Sequence, residues 1–122
     1  MYKAILVDDE FLTREAISKN TKWNDCGFEL IGTAENGKEA IELLEKDLPD
    51  LIITDICMPV MDGLGLASYI YENHPEIKVI IISGYDDFEY AKKALKYEVA
   101  DYILKPITSF ELAEELEKIK KK

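Results

Sequence analysis

The stretch that decides the fold is residues 51–63, which read LIITDICMPVMDG. It begins with an apolar, β-branched run, continues into Asp55 and closes with the turn-forming pair Asp62-Gly63. A nearly continuous apolar run of this length is typical of a strand that is buried on both faces of a parallel sheet. Asp55 then stands at the carboxyl end of that strand, which is where open α/β sheets bind their ligands.

Strand and helix patterns alternate on both sides of this stretch. Further apolar runs lie at residues 4–7, 29–34, 79–82 and 102–104. Helical spacing of apolar residues follows the second to fifth runs, and a less regular helix is predicted from about Phe11 to Thr21. Asp86-Asp87 can cap the fourth helix, and Thr108 or Ser109 the last. Five strand–helix repeats predict one α/β domain with a parallel sheet, helices on both faces and right-handed crossovers.

The composition favours a single intracellular domain. Of its 122 residues, 48% are hydrophobic and 33% charged, which is enough apolar surface for a core. The net charge of −10 argues against direct nucleic-acid binding by this domain, because such binding requires a basic face. Cys26 and Cys57 form no CxxC motif and are interpreted as reduced thiols. No run is long enough to span a bilayer, so we expect a cytoplasmic protein without a membrane segment.

Polar and charged residues stand directly after four of the five runs. They are Asp8-Asp9-Glu10, Asp55, Ser83-Gly84 and Lys105-Pro106. Because the carboxyl ends of parallel strands share one edge of a sheet, we expect these residues to converge on one pocket. Clustered carboxylates raise each other's pKa unless a cation such as Mg²⁺, which prefers oxygen ligands, neutralises them. A carboxylate in that setting can accept a phosphoryl group, with the metal and a lysine offsetting its charge.

Each of these signals has a simpler interpretation when it stands alone. An acidic pair after a strand can be a helix N-cap, and Asp55 can be a turn residue ahead of Pro59. A Lys-Pro pair is common at strand ends, and the sole histidine, His74, is interpreted as a solvated helix end. The specificity lies in the order in which the signals occur along the chain.

Together these motifs resemble those of response-regulator receiver domains over nearly the whole chain. The matching segments are VDDE at residues 7–10, DICMPVMDG at 55–63, ISG at 82–84 and KP at 105–106. The resemblance implies a flavodoxin-like, doubly wound, five-stranded parallel sheet in the order 2-1-3-4-5. It assigns residues 1–119 to the receiver domain and residues 120–122 to the start of a linker or tail.

The resemblance also implies the roles of the acidic residues. Asp55 is the phosphoryl acceptor. Asp8 and Asp9 hold Mg²⁺ together with Asp55, and Asp9 is a direct ligand. The backbone carbonyl of Cys57 supplies a further metal ligand, which leaves its side chain free. The Cys57 side chain and Tyr85 are expected to screen the pocket and tune the lifetime of the phosphorylated state.

Other matched residues would act on the phosphoryl group and transmit its presence. Ser83 and Lys105 are expected to contact the phosphoryl oxygens, and Ser83 and Tyr102 to form the switch, with Tyr102 turning from an exposed to a buried rotamer. The Lys105-Pro106 bond is expected to be cis, since cis bonds are common only before proline.

The resemblance extends to partners. It implies that a sensor histidine kinase donates the phosphoryl group and that an output domain beyond residue 122 controls transcription. The domain is then a signalling switch, which catalyses only its own phosphoryl transfer and dephosphorylation. Trp23 and residues 84–91 resemble receivers attached to AraC-type helix-turn-helix domains, although packing explains Trp23 equally well.

A symmetric homodimer that forms on phosphorylation is also compatible with the charge pattern of the last two helices. The residues available for pairing are Lys92, Lys93 and Lys96 on one helix and Glu111, Glu114 and Glu115 on the next. The same charges can equally be solvated helix faces that contribute little to stability.

Three competing assignments share the fold or the chemistry. A flavin-binding relative needs a loop after the first strand that accepts phosphate, whereas Asp8-Asp9-Glu10 would repel it. Gly63 and Gly65 follow the wrong strand for a dinucleotide loop and are interpreted as helix-start packing. A phosphatase of the haloacid dehalogenase kind needs aspartate where this chain has Cys57. A degenerate receiver that only binds partners is disfavoured because the motif set is complete.

Overall fold

The computed structural model describes residues 1–84 and 88–120, and over these residues strands and helices alternate five times. The strands are β1 (Tyr2–Val7), β2 (Phe28–Ala34), β3 (Leu51–Asp55), β4 (Lys78–Ser83) and β5 (Asp101–Leu104). The helices are α1 (Phe11–Asn20), α2 (Gly37–Lys46), α3 (Gly63–Asn73), α4 (Phe88–Leu95) and α5 (Ser109–Lys120), and a short 3-10 helix at Asn24–Cys26 precedes β2. Each predicted apolar run lies within one of these strands. No helix in the described residues is both long and apolar enough to cross a membrane.

The strands of the described chain form one parallel sheet in the order β2-β1-β3-β4-β5. This confirms the predicted flavodoxin-like, doubly wound architecture. The chain leaves β1 toward one edge to form β2 and then returns to place β3 on the other side of β1. The strand order therefore reverses between β1 and β3, which is where ligands of such sheets bind. Val7 pairs with Thr54 across these two strands, so Asp8 and Asp55 leave neighbouring strand ends together.

The described residues bury a core on each face of the sheet. Successive residues of β3 point to opposite faces, so that Ile52 joins one core and Ile53 the other. The first core packs against α2, α3 and α4 through residues that include Leu44, Leu66, Ile70 and Ala94. The second packs against α5 and the 3-10 helix through Leu112, Leu116 and Cys26, together with Trp23 directly before the 3-10 helix. Burial on both faces explains why the run at residues 51–54 contains so few polar residues.

The last helix begins with a reciprocal pair of hydrogen bonds. The Glu111 N–H donates to Thr108 Oγ1 at 3.0 Å, and the Thr108 N–H donates to Glu111 Oε1 at 3.1 Å. This capping box satisfies two backbone groups at the helix start. Of the two predicted caps, Thr108 is therefore the one that acts, and Ser109 is the first helical residue. The predicted cap of α4 by Asp86-Asp87 lies outside the described residues.

Trp23 and His74 have packing roles near the amino ends of the strands. Trp23 is buried, and its indole N–H donates to the Ser18 carbonyl at 3.0 Å. His74, which follows α3, is not a solvated helix end as expected, because its side chain is only 18% exposed. Its Nε2 lies 3.2 Å from Glu45 Oε1, so a contact with α2 covers the ring. Hydrogen bonds from Tyr69 and His74 hold the pKa of Glu45 below its usual value.

Candidate functional site

Carboxylates from two strand ends meet where the strand order reverses. Among the described residues, Asp8, Asp9 and Asp55 each offer an oxygen atom that lies within 4.8 Å of the other two. Asp8 and Asp55 are buried, whereas Asp9 is exposed. The sheet thus brings these three residues together, as the sequence predicted. Their open side is the side of Asp9.

Lys105 reaches this cluster from the end of β5. Its Nζ lies 3.2 Å from Asp55 Oδ2, 3.3 Å from Asp8 Oδ2 and 3.6 Å from Glu10 Oε1. The Lys105 N–H donates to the Ser83 carbonyl at 2.7 Å, which ties the lysine to the end of β4. The Lys105-Pro106 peptide bond is cis, as predicted.

The pocket retains a negative charge that suits a divalent cation. Burial raises the pKa of Asp8, and the Asp55 carboxylate adds to the rise, whereas the Glu10 N–H and Lys105 oppose it. Burial by itself would lower the pKa of Lys105, but Asp8 and Asp55 outweigh burial and raise it. The ammonium is therefore held charged beside more carboxylates than it can neutralise. Because the donors are all carboxylate oxygens, they fit Mg²⁺ better than a softer metal.

The start of α3 packs closely against the backbone of Asp55. The Gly63 N–H donates to the Ile56 carbonyl at 2.8 Å. A Cβ at Gly63 would overlap the Asp55 carbonyl oxygen and lie 2.9 Å from Ile56 Cα. Helix-start packing of Gly63 is therefore confirmed. Val60, in the loop that follows Asp55, is β-branched and has a φ of 67°, so strain of about 1–3 kcal/mol is stored in that loop.

Residues 4–117 match the family model of the response regulator receiver domain. The chain belongs to this family. Family membership decides against the flavin-binding and phosphatase assignments. Receiver domains are signalling domains of two-component systems, not enzymes in the usual sense, and they generally bind Mg²⁺ at an acidic pocket.

The relatives of this receiver domain include transcriptional regulators. The uncharacterized transcriptional regulatory protein YesN of Bacillus subtilis is 41% identical over 119 residues, which cover 98% of this chain and 32% of YesN. The REC domain of the response regulator AraT from Geobacillus stearothermophilus has a TM-score of 0.91 and 40% identity, covering 98% of this chain and 93% of that one. The two component transcriptional regulator AraC from Clostridium phytofermentans has a TM-score of 0.89 and 36% identity, covering 99% and 94%. The chain spans less than half the length of the curated relatives it matches.

The receiver's two predicted switch residues lie on adjacent strands. Ser83 ends β4 and is completely buried, one residue beyond Ile82, which pairs with Asp55. Tyr102 lies in β5, pairs with Ile81 and packs against the core on the α2–α4 face. Its side chain is half-buried here, whereas the sequence interpretation expected an exposed rotamer.

Cys57 links the loop between β3 and α3 to α4. Its side chain is half-buried, and Cys57 Sγ lies 3.9 Å from the Tyr90 hydroxyl. The thiol thus faces a helix, and its predicted effect on phosphoryl lifetime stays a prediction. Tyr85, which was expected to screen the same pocket, lies outside the described residues.

Sequence reasoning missed Arg14. Within α1, all of whose residues the structure describes, Arg14 is the only buried residue. Its Nη1 donates to the Asp8 carbonyl at 2.6 Å. The irregular periodicity of residues 11–21 was the available signal, since an arginine occupies the position at which an amphipathic helix would bury an apolar residue.

Proposed function

We propose that this receiver domain is a phosphorylation switch in which Asp55 accepts one phosphoryl group from a phosphohistidine of a sensor kinase. The Asp55 carboxylate attacks phosphorus, so that an O–P bond forms while the N–P bond breaks and the imidazole leaves with the electron pair. The observation that carries the proposal is the 3.2 Å approach of Lys105 Nζ to Asp55 Oδ2 inside the carboxylate cluster. Because that ammonium is already in place, it can stabilise charge on the transferring group.

The acidic residues around Asp55 would complete the site. Asp8, Asp9 and Asp55, with the backbone carbonyl of Cys57, would hold Mg²⁺, which supplies positive charge at the phosphoryl oxygens. The buried carboxylate of Asp8 accepts from the Glu10 N–H at 2.9 Å, so it is oriented before any ion arrives. Asp9 leaves the pocket accessible on its exposed side. The same residues would serve the slower loss of the phosphoryl group.

Ser83 and Tyr102 would report phosphorylation to the rest of the surface. The Ser83 hydroxyl lies at a neighbouring strand end and can donate to a phosphoryl oxygen if its loop moves inward. That movement frees space beside β5, which Tyr102 fills by turning further into the core. Shifting the equilibrium between the unswitched and switched conformations from about 1:99 to 99:1 needs roughly 5.5 kcal/mol. One charge-assisted hydrogen bond contributes only about 1.5–3 kcal/mol. Lys105 and the metal must therefore contribute as well.

The phosphoryl donor would come from another protein. His74 is the only histidine of the chain. It follows α3 and lies near the amino ends of the strands, whereas Asp55 lies at the carboxyl end of β3. We propose that a sensor histidine kinase supplies the phosphoryl group in the cytoplasm. The names of the relatives support an output domain beyond residue 122 that regulates transcription, with residues 120–122 beginning the linker. The receiver is acidic and would not itself bind nucleic acid. We also propose that it forms a homodimer when phosphorylated.

Intact mass is expected to increase by one phosphate when the protein is incubated with Mg²⁺ and a small acyl phosphate. The Asp55→Asn variant should show no increase, because the amide cannot act as the nucleophile. Asp25→Asn is the matched control, since Asp25 is exposed and lies near the amino ends of the strands. Modification that persists in Asp55→Asn would place the chemistry on another residue.

The Ser83→Ala variant is expected to bind beryllofluoride but to show only part of the wild-type change in chemical shifts around Tyr102. Removing the hydroxyl deletes one of several contacts that draw the β4 loop inward. Amide shifts along residues 88–104 measure the response, and Ser68→Ala in α3 controls for loss of a hydroxyl elsewhere. If Ser83→Ala with bound mimic shows the full wild-type pattern, Ser83 does not couple the pocket to Tyr102.

A further inference from the structure

Arg14 is a charged residue in a position where burial is unfavourable unless its donors are satisfied. The residue is only 8% exposed, and its guanidinium lies 5.6 Å from the centre of the Phe11 ring. Nη1 donates to the Asp8 carbonyl at 2.6 Å, and Nη2 lies 3.8 Å from Glu35 Oε1. The two ends of the guanidinium thus meet the loop after β1 and the loop after β2. Neither contact involves a side chain of the carboxylate cluster.

The carbonyl that Arg14 binds belongs to the peptide that joins the two acidic residues of the β1–α1 loop. A peptide unit is planar, so fixing the Asp8 oxygen also fixes the N–H of Asp9 and the direction in which the chain enters Asp9. The same turn is held at two further points. The Asp8 N–H donates to the Ala34 carbonyl at 3.0 Å, and the Glu10 N–H donates to Asp8 Oδ1 at 2.9 Å. Arg14 supplies the contact that sets the orientation of the intervening peptide plane.

We propose that Arg14 is a positioning residue for the metal site, which holds the Asp8-Asp9 peptide so that both carboxylates are oriented before the cation binds. This inference rests on the proposed function, since it assumes that Asp8 and Asp9 bind Mg²⁺. Arg14 acts through the backbone of Asp8 and touches neither the cation nor the phosphoryl group. Glu35 steadies the far side of the guanidinium, although at 62% side-chain exposure its contribution is small.

Charge by itself predicts the opposite effect from positioning. Removing a cation close to a site for a divalent cation would strengthen Mg²⁺ binding, because a repulsion disappears. Loss of the orienting hydrogen bond would weaken Mg²⁺ binding, because residues that orient metal ligands contribute to affinity. The two effects differ in sign, so the affinity of an uncharged variant separates them.

The test compares Arg14→Met and Arg14→Lys in the 122-residue protein. Mg²⁺ dissociation constants are measured by titration of the amide shifts of residues 8–10 and 55–57. Arg14→Met is expected to bind Mg²⁺ about tenfold more weakly than wild type. Arg14→Lys should fall between the two, because its ammonium can donate to the Asp8 carbonyl but lacks the planar guanidinium geometry that fixes the direction of that hydrogen bond. Unchanged or tighter Mg²⁺ binding by Arg14→Met would overturn the inference, and if that variant does not fold, the same criterion applies to Arg14→Gln, which is also uncharged.

A measurement without metal separates positioning from a general loss of stability. In Mg²⁺-free protein, the Glu10 amide of Arg14→Met should exchange with solvent faster than in wild type, while amides of β4 keep their wild-type rates. If the exchange rates of all amides rise by a similar factor, Arg14 only stabilises the fold, and the inference is overturned. Glu35→Gln is the matched control and should bind Mg²⁺ nearly as wild type does, since the bond to Asp8 remains. A loss in Glu35→Gln as large as in Arg14→Met would also contradict it.

Failure of the inference and failure of the proposed function give different results. If wild-type protein shows no saturable Mg²⁺ response, the proposed metal site is refuted. The proposed role of Arg14 in positioning its ligands is then refuted as well. If wild type binds Mg²⁺ and Arg14→Met binds it equally well, only the role of Arg14 is refuted.

Discussion

Replacing Lys105 with methionine is expected to slow phosphorylation of Asp55 by about 10²- to 10³-fold, the loss typical when one preorganised donor is removed from a site of developing charge. Lys105 Nζ lies 3.2 Å from Asp55 Oδ2 and 3.3 Å from Asp8 Oδ2, so it needs no rearrangement before the phosphoryl group arrives. Its raised pKa keeps it charged. The stability that these ion pairs contribute is complete below the usual lysine pKa and is lost only as the pH rises through the raised value in the folded protein.

The rate is measured from intact mass against time, with excess acyl phosphate and saturating Mg²⁺. Lys3→Met is the matched control, because it removes the same charge from an exposed ion pair with Asp47. Exposed pairs of that kind contribute little to stability, so this variant should react and fold as wild type does. A Lys105→Met rate close to that of wild type would show that the ammonium does not act on the phosphoryl group.

Replacing Gly63 with alanine is expected to lower the free energy of unfolding by about 1–3 kcal/mol, the range for overpacking a filled site. The new Cβ would overlap the Asp55 carbonyl oxygen and approach Ile56 Cα to 2.9 Å. Both are backbone atoms, one in the last residue of β3 and one in the buried residue that follows it, so they cannot move aside easily. Any displacement moves Asp55 relative to Lys105, so phosphorylation should slow as well.

Chemical denaturation measures the first effect and intact mass the second. Gly65→Ala is the matched control two residues along the same helix. Its Cβ would lie 3.1 Å from Met61 Cγ and 3.4 Å from Asp62 Oδ1, both of which are side-chain atoms. Alanine is also favoured over glycine in helices by up to about 1 kcal/mol, so this variant should be neutral or slightly stabilised. Equal stability of the two variants would contradict the close approach at Gly63.

The features that the sequence predicted well are those set by burial and chain order. Residues 51–54 are apolar because both faces of β3 are covered, and Asp8 meets Asp55 because the preceding residues, Val7 and Thr54, are paired. Convergence of Asp8, Asp9 and Asp55 therefore followed once a parallel sheet was predicted. The strand order itself came from the resemblance to receivers, since apolar runs alone do not specify which strands are neighbours.

The features that could not be predicted depend on contacts between distant polar groups. The spacing of residues 11–21 reports how regular a helix is, but it does not show that Arg14 turns back to the Asp8 carbonyl. His74 looked solvated in its polar run, and only the position of Glu45 on α2 shows that it is covered. The half-buried state of Tyr102 likewise depends on its packing against the core that contains Ala94 of α4, and it has no local signal.

The place of β5 at the end of the strand order has a consequence for local unfolding. β3 is hydrogen-bonded to a strand on each side and all its residues are buried, whereas β5 pairs with β4 and its residues are half-buried or exposed. Segments of that kind open with free energies well below that of global unfolding, so β5 amides should exchange with solvent before those of β1 and β3. The strand that carries Tyr102 and leads to Lys105 can therefore rearrange while both cores stay folded.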